Sequence, residues 1–293
     1  MRLILLFQLA AALLFAGGFI SADKLQERLG SADLVIIDTG SKDAYTAAHI
    51  PGAVRTDIAA WRTKVAKHME LRGEEELLAE MQRLGINDNS LVVLYGHNEG
   101  KDTLKASYIA FAMATMGFEN SLILDGSYYE WHDDEARPVK SGEETRDKGK
   151  VTPRPNPSLL VKMDYVKANI GKLPMLDARP VVYYFGTLQS KGVGRLGHIS
   201  GAVSSAWKDK FLIEETLQSQ DVLEKIFIEG CGLEPEKEVI LYCTGGLEAS
   251  MNWFLLYRHM GFKKARLYDA SMREWGNQTD TPMTQYKWEC FAQ

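Results

Sequence analysis

The chain says nearly the same thing twice. VIIDTGSKDAYTAAHIPGAVRTDIAAW (35–61) returns as MLDARPVVYYFGTLQSKGVGRLGHISGAVSSAW (175–207). LVVLYGHNEGKDTLKASYIAFAMATMGFENSLILDGSYYEW (91–131) returns as EVILYCTGGLEASMNWFLLYRHMGFKKARLYDASMREW (238–275). A duplication of this size fixes two homologous domains of roughly 120 to 140 residues, each able to bury a core of its own. The boundaries read as 23–135 for the first domain, 136–157 for a linker, 158–285 for the second domain and 286–293 for a C-terminal tail. The stretch HDDEARPVKSGEETRDKGKVTPRPNP (132–157) is rich in charge, Gly and Pro and lacks apolar periodicity, which predicts a surface connection.

Within each copy the apolar runs are short and continuous: LVIID, LVVLY and SLILD, then MLD, VILY and ARLYD. Strands apolar on both faces belong to a buried parallel sheet. TLKASYIAFAMATMGF and EASMNWFLLYRHMGF carry helical spacing and end at a Gly suited to a helix C-terminus. Alternation of the two predicts an α/β architecture in each copy, a mainly parallel sheet with helices on both faces. In open sheets of this kind, chemistry collects at the carboxyl ends of strands.

At one such end the two copies differ in kind. LYCTGGLEAS (241–250) carries Cys243 where the first copy has Gly96, at an offset of 147 residues. Gly245 and Gly246 let the backbone curl so that successive N–H groups face one point, and the following helix adds its positive end. The expectation is a thiol whose pKa is lowered, with Thr244, Gly245, Gly246, Leu247 and Glu248 forming a persulfide or anion-binding loop. A phosphatase-type loop, C-x5-R, would need arginine at position 249, where this chain has Ala249. HNEGK (97–101) lacks the spacing of a phosphate-binding P-loop.

The formal charge of −5, without a dense Lys/Arg stripe, argues against nucleic acid or an anionic membrane as partner and for a small ligand. MRLILLFQLAAALLFAGGFISA (1–22) has the layout of a secretory signal peptide with cleavage after Ala22; a retained single-span anchor is the alternative. The mature protein is therefore expected to be periplasmic or secreted and free of the membrane. In an oxidising compartment three cysteines leave one over. Either Cys231 pairs with Cys290 and Cys243 is free, or all three are unpaired.

The strand-end aspartates of IDTG (Asp38) and LDAR (Asp177), HIPGAV and GHISGAV, the loop CTGGLE, and the endings DGSYYEW and DASMREW resemble a tandem-domain rhodanese over residues 23–285. This is the thiosulfate or 3-mercaptopyruvate sulfurtransferase family. The resemblance implies a sulfurtransferase in which Cys243 is the catalytic nucleophile: it takes a sulfane sulfur as a persulfide and passes it to cyanide or a thiol, whether on a small molecule or a protein. It implies no metal and no organic cofactor, and a non-catalytic first domain. Thiosulfate is expected slightly ahead of 3-mercaptopyruvate, on compartment alone. A periplasmic persulfide carrier with little turnover is the alternative.

The loop itself has no cation, and Glu248 adds a negative charge unless it caps the helix start. Tyr183 and Tyr184 stand where mercaptopyruvate-type relatives often show an arginine. Arg195 and Arg179 are therefore the candidate substrate-binding cations, with Lys191 beside them, although Arg179 also suits an ion pair with Asp177. His49 and His198 recur in both copies, including the one without a nucleophile, which assigns them a structural role. Trp207, Trp253 and Trp275 are expected in the core.

Overall fold

The computed structural model describes residues 17–97, 101–133, 137–212 and 216–291. The first half builds a five-stranded sheet from β1 (Phe19–Ile20), β2 (Leu34–Asp38), β3 (Ala53–Arg55), β6 (Leu91–Tyr95) and β7 (Ser121–Leu124), in the order β1-β7-β6-β2-β3. A separate hairpin, β4 (Arg62–Val65) and β5 (His68–Leu71), stands off that sheet. The second half builds a four-stranded sheet from β8 (Met175–Asp177), β10 (Val203–Ser204), β11 (Val239–Tyr242) and β12 (Ala265–Leu267), in the order β10-β8-β11-β12. A small antiparallel pair joins β9 (His198–Ile199) to β13 (Met283–Thr284). Every pairing in the two larger sheets is parallel.

The continuous apolar runs follow from burial on both faces. Leu91 and Val93 pack into one core, with Leu34 and Ile36, while Val92 and Leu94 face another, with Val35 and Ile37. In the second half Val239, Leu241 and Cys243 take the same side, and Ile240 and Tyr242 the opposite one. The side holding Val92, Leu94, Val239 and Leu241 is one core shared by both domains. Period-two alternation therefore aims Cys243 at the domain interface.

The two copies meet with reciprocal contacts. Helix α1 (Lys101–Thr115) packs on helix α2 (Leu247–Trp253), with Ser107 Oγ and Ser250 Oγ 2.9 Å apart. Asp125 accepts the Leu217 N–H from the second domain, and Asp269 accepts the Leu71 N–H from the first. Asp125 and Asp269, like Leu71 and Leu217, are equivalent in the repeat, so the contacts describe a pseudo-twofold.

Two features of the fold bear on the boundaries expected from the sequence. The first concerns the N-terminal boundary at residues 22 and 23. Phe19–Ile20 pairs with β7, Ile20 is buried, and Gly18 N–H donates to His259 Nδ1. Cleavage after Ala22 would remove this edge strand and the Ser21 cap of the following helix. Most of the expected signal peptide, residues 1–16, lies outside the described residues. Among the described residues no helix is long and apolar enough to cross a membrane.

The second is the connection and the tail: the stretch between the domains runs over the surface, and both segments are tied down by equivalent contacts in the two copies. Trp131 Nε1–H donates to Pro138 O, and Trp275 Nε1–H donates to Pro282 O. Glu144 N–H donates to Tyr45 Oη just as Glu289 N–H donates to Tyr184 Oη. The chain from 149 to 156 is then pinned along the first domain, through Gly149 N–H to Gln82 O, Thr152 N–H to Asp88 and Arg154 N–H to Met116 O. Polar composition removed the hydrophobic signal, but backbone donors do the anchoring.

Candidate active site

Strand β11 ends at Tyr242, and the chain turns through residues 243–246 into α2. Gly246 takes φ +94°, a conformation that only glycine enters at little cost, and a Cβ there would stand 2.1 Å from Asp269 Oδ1. The turn is anchored from behind, since Cys243 N–H donates to Ser271 Oγ and Arg273 N–H donates to Thr244 O.

Within the turn the amides converge on sulfur. Gly246 N–H donates to Cys243 Sγ at 3.0 Å, and the N–H groups of Gly245 and Ala249 also favour the thiolate. The Thr244 N–H is spent on the Glu248 carboxylate instead. The loop therefore works through Gly245, Gly246 and Ala249, while Glu248 takes the role of a carboxylate reaching back over the helix start.

The expected lowering of the thiol pKa does not occur in this resting geometry. Cys243 is 1% exposed, and its pKa is pushed up to about 12, first by burial and then by the neighbouring Glu248 carboxylate; the amides oppose this without overcoming it. Burial likewise raises Glu248, with Asp177 adding to the effect. Removing the Glu248 charge lowers the penalty on the thiolate. Glu248→Gln should thus move the pH profile of Cys243 alkylation toward lower pH and raise the rate at pH 8 several-fold, each pKa unit counting for about tenfold. Stopped-time alkylation with iodoacetamide across pH checks the direction, and a move to higher pH would contradict it.

Cys243 lies at a cavity of about 310 Å³ also lined by Thr244, Gly245, Leu247, Glu248, Tyr183, Ser190, Leu104, Arg62, Lys191 and Arg273. The two cations expected there are elsewhere. Arg179 is 1% exposed, paired through Nη2 with Asp177 Oδ2 at 2.6 Å and donating to Gly197 O. Arg195 spends its guanidinium on the carbonyls of Trp275 and Thr281. Neither lines the cavity, and both guanidiniums are engaged by other groups of the second domain. Among the described residues the cavity's cations are Lys191, Arg273 and, from the first domain, Arg62. A sequence signal existed for Arg273, which occupies the position of Tyr129 in the first copy of the DGSYYEW/DASMREW ending. None existed for Arg62, which comes from the hairpin far earlier in the chain.

The equivalent place in the first domain is closed. A Cβ on Gly96 would lie 2.2 Å from the Asp102 Cβ, so no nucleophilic side chain fits there. Asp38 pairs with His97 at 2.6 Å, taking the neighbour that Arg179 provides for Asp177. His49 and His198 are structural as expected: each stacks on a tyrosine, Tyr45 or Tyr184, whose carbonyl its Nδ1 contacts. Trp207, Trp253 and Trp275 are buried, and none lines the cavity. Cys231, Cys243 and Cys290 are all free, so the unpaired alternative is the one observed.

Comparison with known proteins identifies the family. The rhodanese-like domain model matches residues 21–134 and again 162–278. The 3-mercaptopyruvate sulfurtransferase of Escherichia coli is 30% identical, over 92% of this chain and 98% of that protein. A putative thiosulfate sulfurtransferase of Synechococcus elongatus is 29% identical over 88% and 82%. The sulfur carrier protein TtuD of Thermus thermophilus is 28% identical over 90% and 95%. Among solved structures, YnjE superposes with a TM-score of 0.81 at 22% identity, covering 93% of this chain and 69% of that one. With both halves matched in order, the chain belongs to the rhodanese family, as a tandem of two rhodanese-like domains of the sulfurtransferase type.

Proposed function

We propose that the protein moves sulfane sulfur from a small anionic donor, thiosulfate ahead of 3-mercaptopyruvate, to a thiophilic acceptor through a persulfide on Cys243. The observation that carries this reading is the Cys243 sulfur, held by the Gly246 amide and facing a cavity with Lys191 and Arg273 on its wall. With thiosulfate, the Cys243 thiolate attacks the outer sulfur, a new S–S bond forms, and the old S–S bond breaks with its electron pair leaving on sulfite. An acceptor thiolate or cyanide then takes the terminal sulfur and returns the Cys243 thiolate. With 3-mercaptopyruvate the departing carbon takes a proton and leaves as pyruvate. Neither course requires a metal or an organic cofactor.

The test is intact-mass and peptide mass spectrometry after exposure to each donor. A gain of one sulfur on the peptide containing Cys243, lost on adding cyanide, supports transfer; no gain with either donor sinks it.

Donor recognition follows from charge in the cavity. The Arg273 side chain lies over Gly245, close to where the outer end of a donor bound to Cys243 would sit. Arg273→Ala should raise KM for thiosulfate about tenfold while kcat changes less than about threefold, the pattern of lost ground-state binding. Steady-state kinetics with cyanide as acceptor check the split. An unchanged KM would leave Lys191 as the anion-binding cation.

A carrier reading has one observation of its own. The Cys243 thiol is buried beside the Glu248 carboxylate, and both effects hold it in its neutral form, which suits slow loading followed by hand-over to one partner. A carrier would load once and stall, so repeated turnover on cyanide separates the two. Export to the periplasm or beyond the cell remains part of the proposal, supported by the apolar run near the start of the chain; a mature N-terminus upstream of Phe19 would keep β1 in the sheet.

A further inference from the structure

One side chain that contacts the loop after Cys243 comes from the other domain. Arg62, at the start of β4, is 5% exposed. Its Nη2 donates to Gly245 O at 2.5 Å and lies 3.1 Å from Asp269 Oδ1, and its guanidinium sits 4.5 Å over the Tyr108 ring. Tyr108 Oη–H donates to the other oxygen of Asp269 at 2.7 Å. The guanidinium is thus held on three sides, by a carboxylate, a ring face and a carbonyl.

The carbonyl is the informative partner. Gly245 O and Gly246 N–H belong to one planar trans peptide, so they point in opposite directions. Fixing the oxygen on Arg62 fixes the hydrogen on Cys243 Sγ, where it is found at 3.0 Å. Glycines on both sides of this peptide leave it free to turn over unless something outside the loop holds it.

We propose that Arg62 is a positioning residue for sulfur transfer: the first domain clamps the 245–246 peptide so that its N–H faces the sulfur of Cys243. This gives the non-catalytic domain a direct part in the chemistry of the other. The proposal rests on Cys243 as the sulfur-bearing residue, but its first readout does not depend on sulfur transfer.

The experiment compares wild type with Arg62→Met and Arg62→Lys in the full chain. Cys243 alkylation by iodoacetamide is followed from pH 7 to 10, cyanide-dependent turnover is measured alongside, and thermal melting and tryptophan fluorescence report the fold. Losing the clamp should make the thiolate harder to form. Arg62→Met should alkylate about tenfold more slowly at a given pH and lose at least tenfold in kcat, with Arg62→Lys recovering part of both. A residue that only glued the domains together would give the opposite result, because a loosened interface exposes the buried thiol and speeds alkylation. Faster or unchanged alkylation in Arg62→Met overturns the proposal. Full recovery by Arg62→Lys also overturns it, since charge alone would then suffice. If wild type alkylates as expected but takes no sulfur from any donor, the sulfurtransferase reading fails while the clamp stands.

Discussion

Cys243→Ser should give a folded protein that gains no sulfur from thiosulfate or 3-mercaptopyruvate and turns over at least about a thousandfold more slowly. The fold has little reason to change. The backbone N–H of residue 243 still reaches Ser271 Oγ, and serine fills nearly the same volume at the end of β11. The chemistry has nowhere to go, because a hydroxyl neither ionises near neutral pH nor accepts a sulfane sulfur. The rivals are Cys231 and Cys290. Cys231 is buried against Ser205, and burial raises its thiol further. Cys290 is exposed but lies in the C-terminal segment. Peptide mass spectrometry of the serine variant reads the outcome directly, and a sulfur found on Cys290 would move the site out of the interface altogether.

What could be read from the chain alone was whatever the duplication made visible. The contrast of Gly96 with Cys243 located the loop, since two otherwise parallel sequences differ there by a nucleophile. Recurrence of histidine in the copy without one assigned His49 and His198 to structure, and their stacks on Tyr45 and Tyr184 bear this out. Residues acting across the interface left no such trace. Arg62 meets Gly245 over 183 positions of sequence, a proximity set by how the two domains dock. Burial was equally invisible. Counting amides around a thiol predicts a lowered pKa, but the cost of taking that thiol out of water, together with the Glu248 carboxylate, reverses the sign. How the connection is held left no trace for a related reason: its hold on the first domain is made by backbone N–H groups, which every residue type except proline carries.

Gly246→Ala tests the loop geometry without touching the sulfur. At φ +94° an alanine is strained, and its Cβ would fall 2.1 Å from Asp269 Oδ1 and 3.1 Å from Arg62 Nη2. Neither neighbour can yield cheaply, because Asp269 is tied to Tyr108 and Arg62, and Arg62 is tied to the loop itself. The loop must therefore give way, and with it the Gly246 N–H that faces Cys243 Sγ. Loss of one preorganised donor at a developing anion costs on the order of a hundredfold or more in rate. Turnover with thiosulfate and cyanide should fall by at least that factor, while Cys243 remains titratable as a thiol and the melting temperature drops by only a few degrees, as strain of about 1–2 kcal/mol implies. Turnover within twofold of wild type would mean that the amide at 246 does not hold the transferred sulfur. The stabilising charge would then have to come from cations on the cavity wall, among them Lys191 and Arg273.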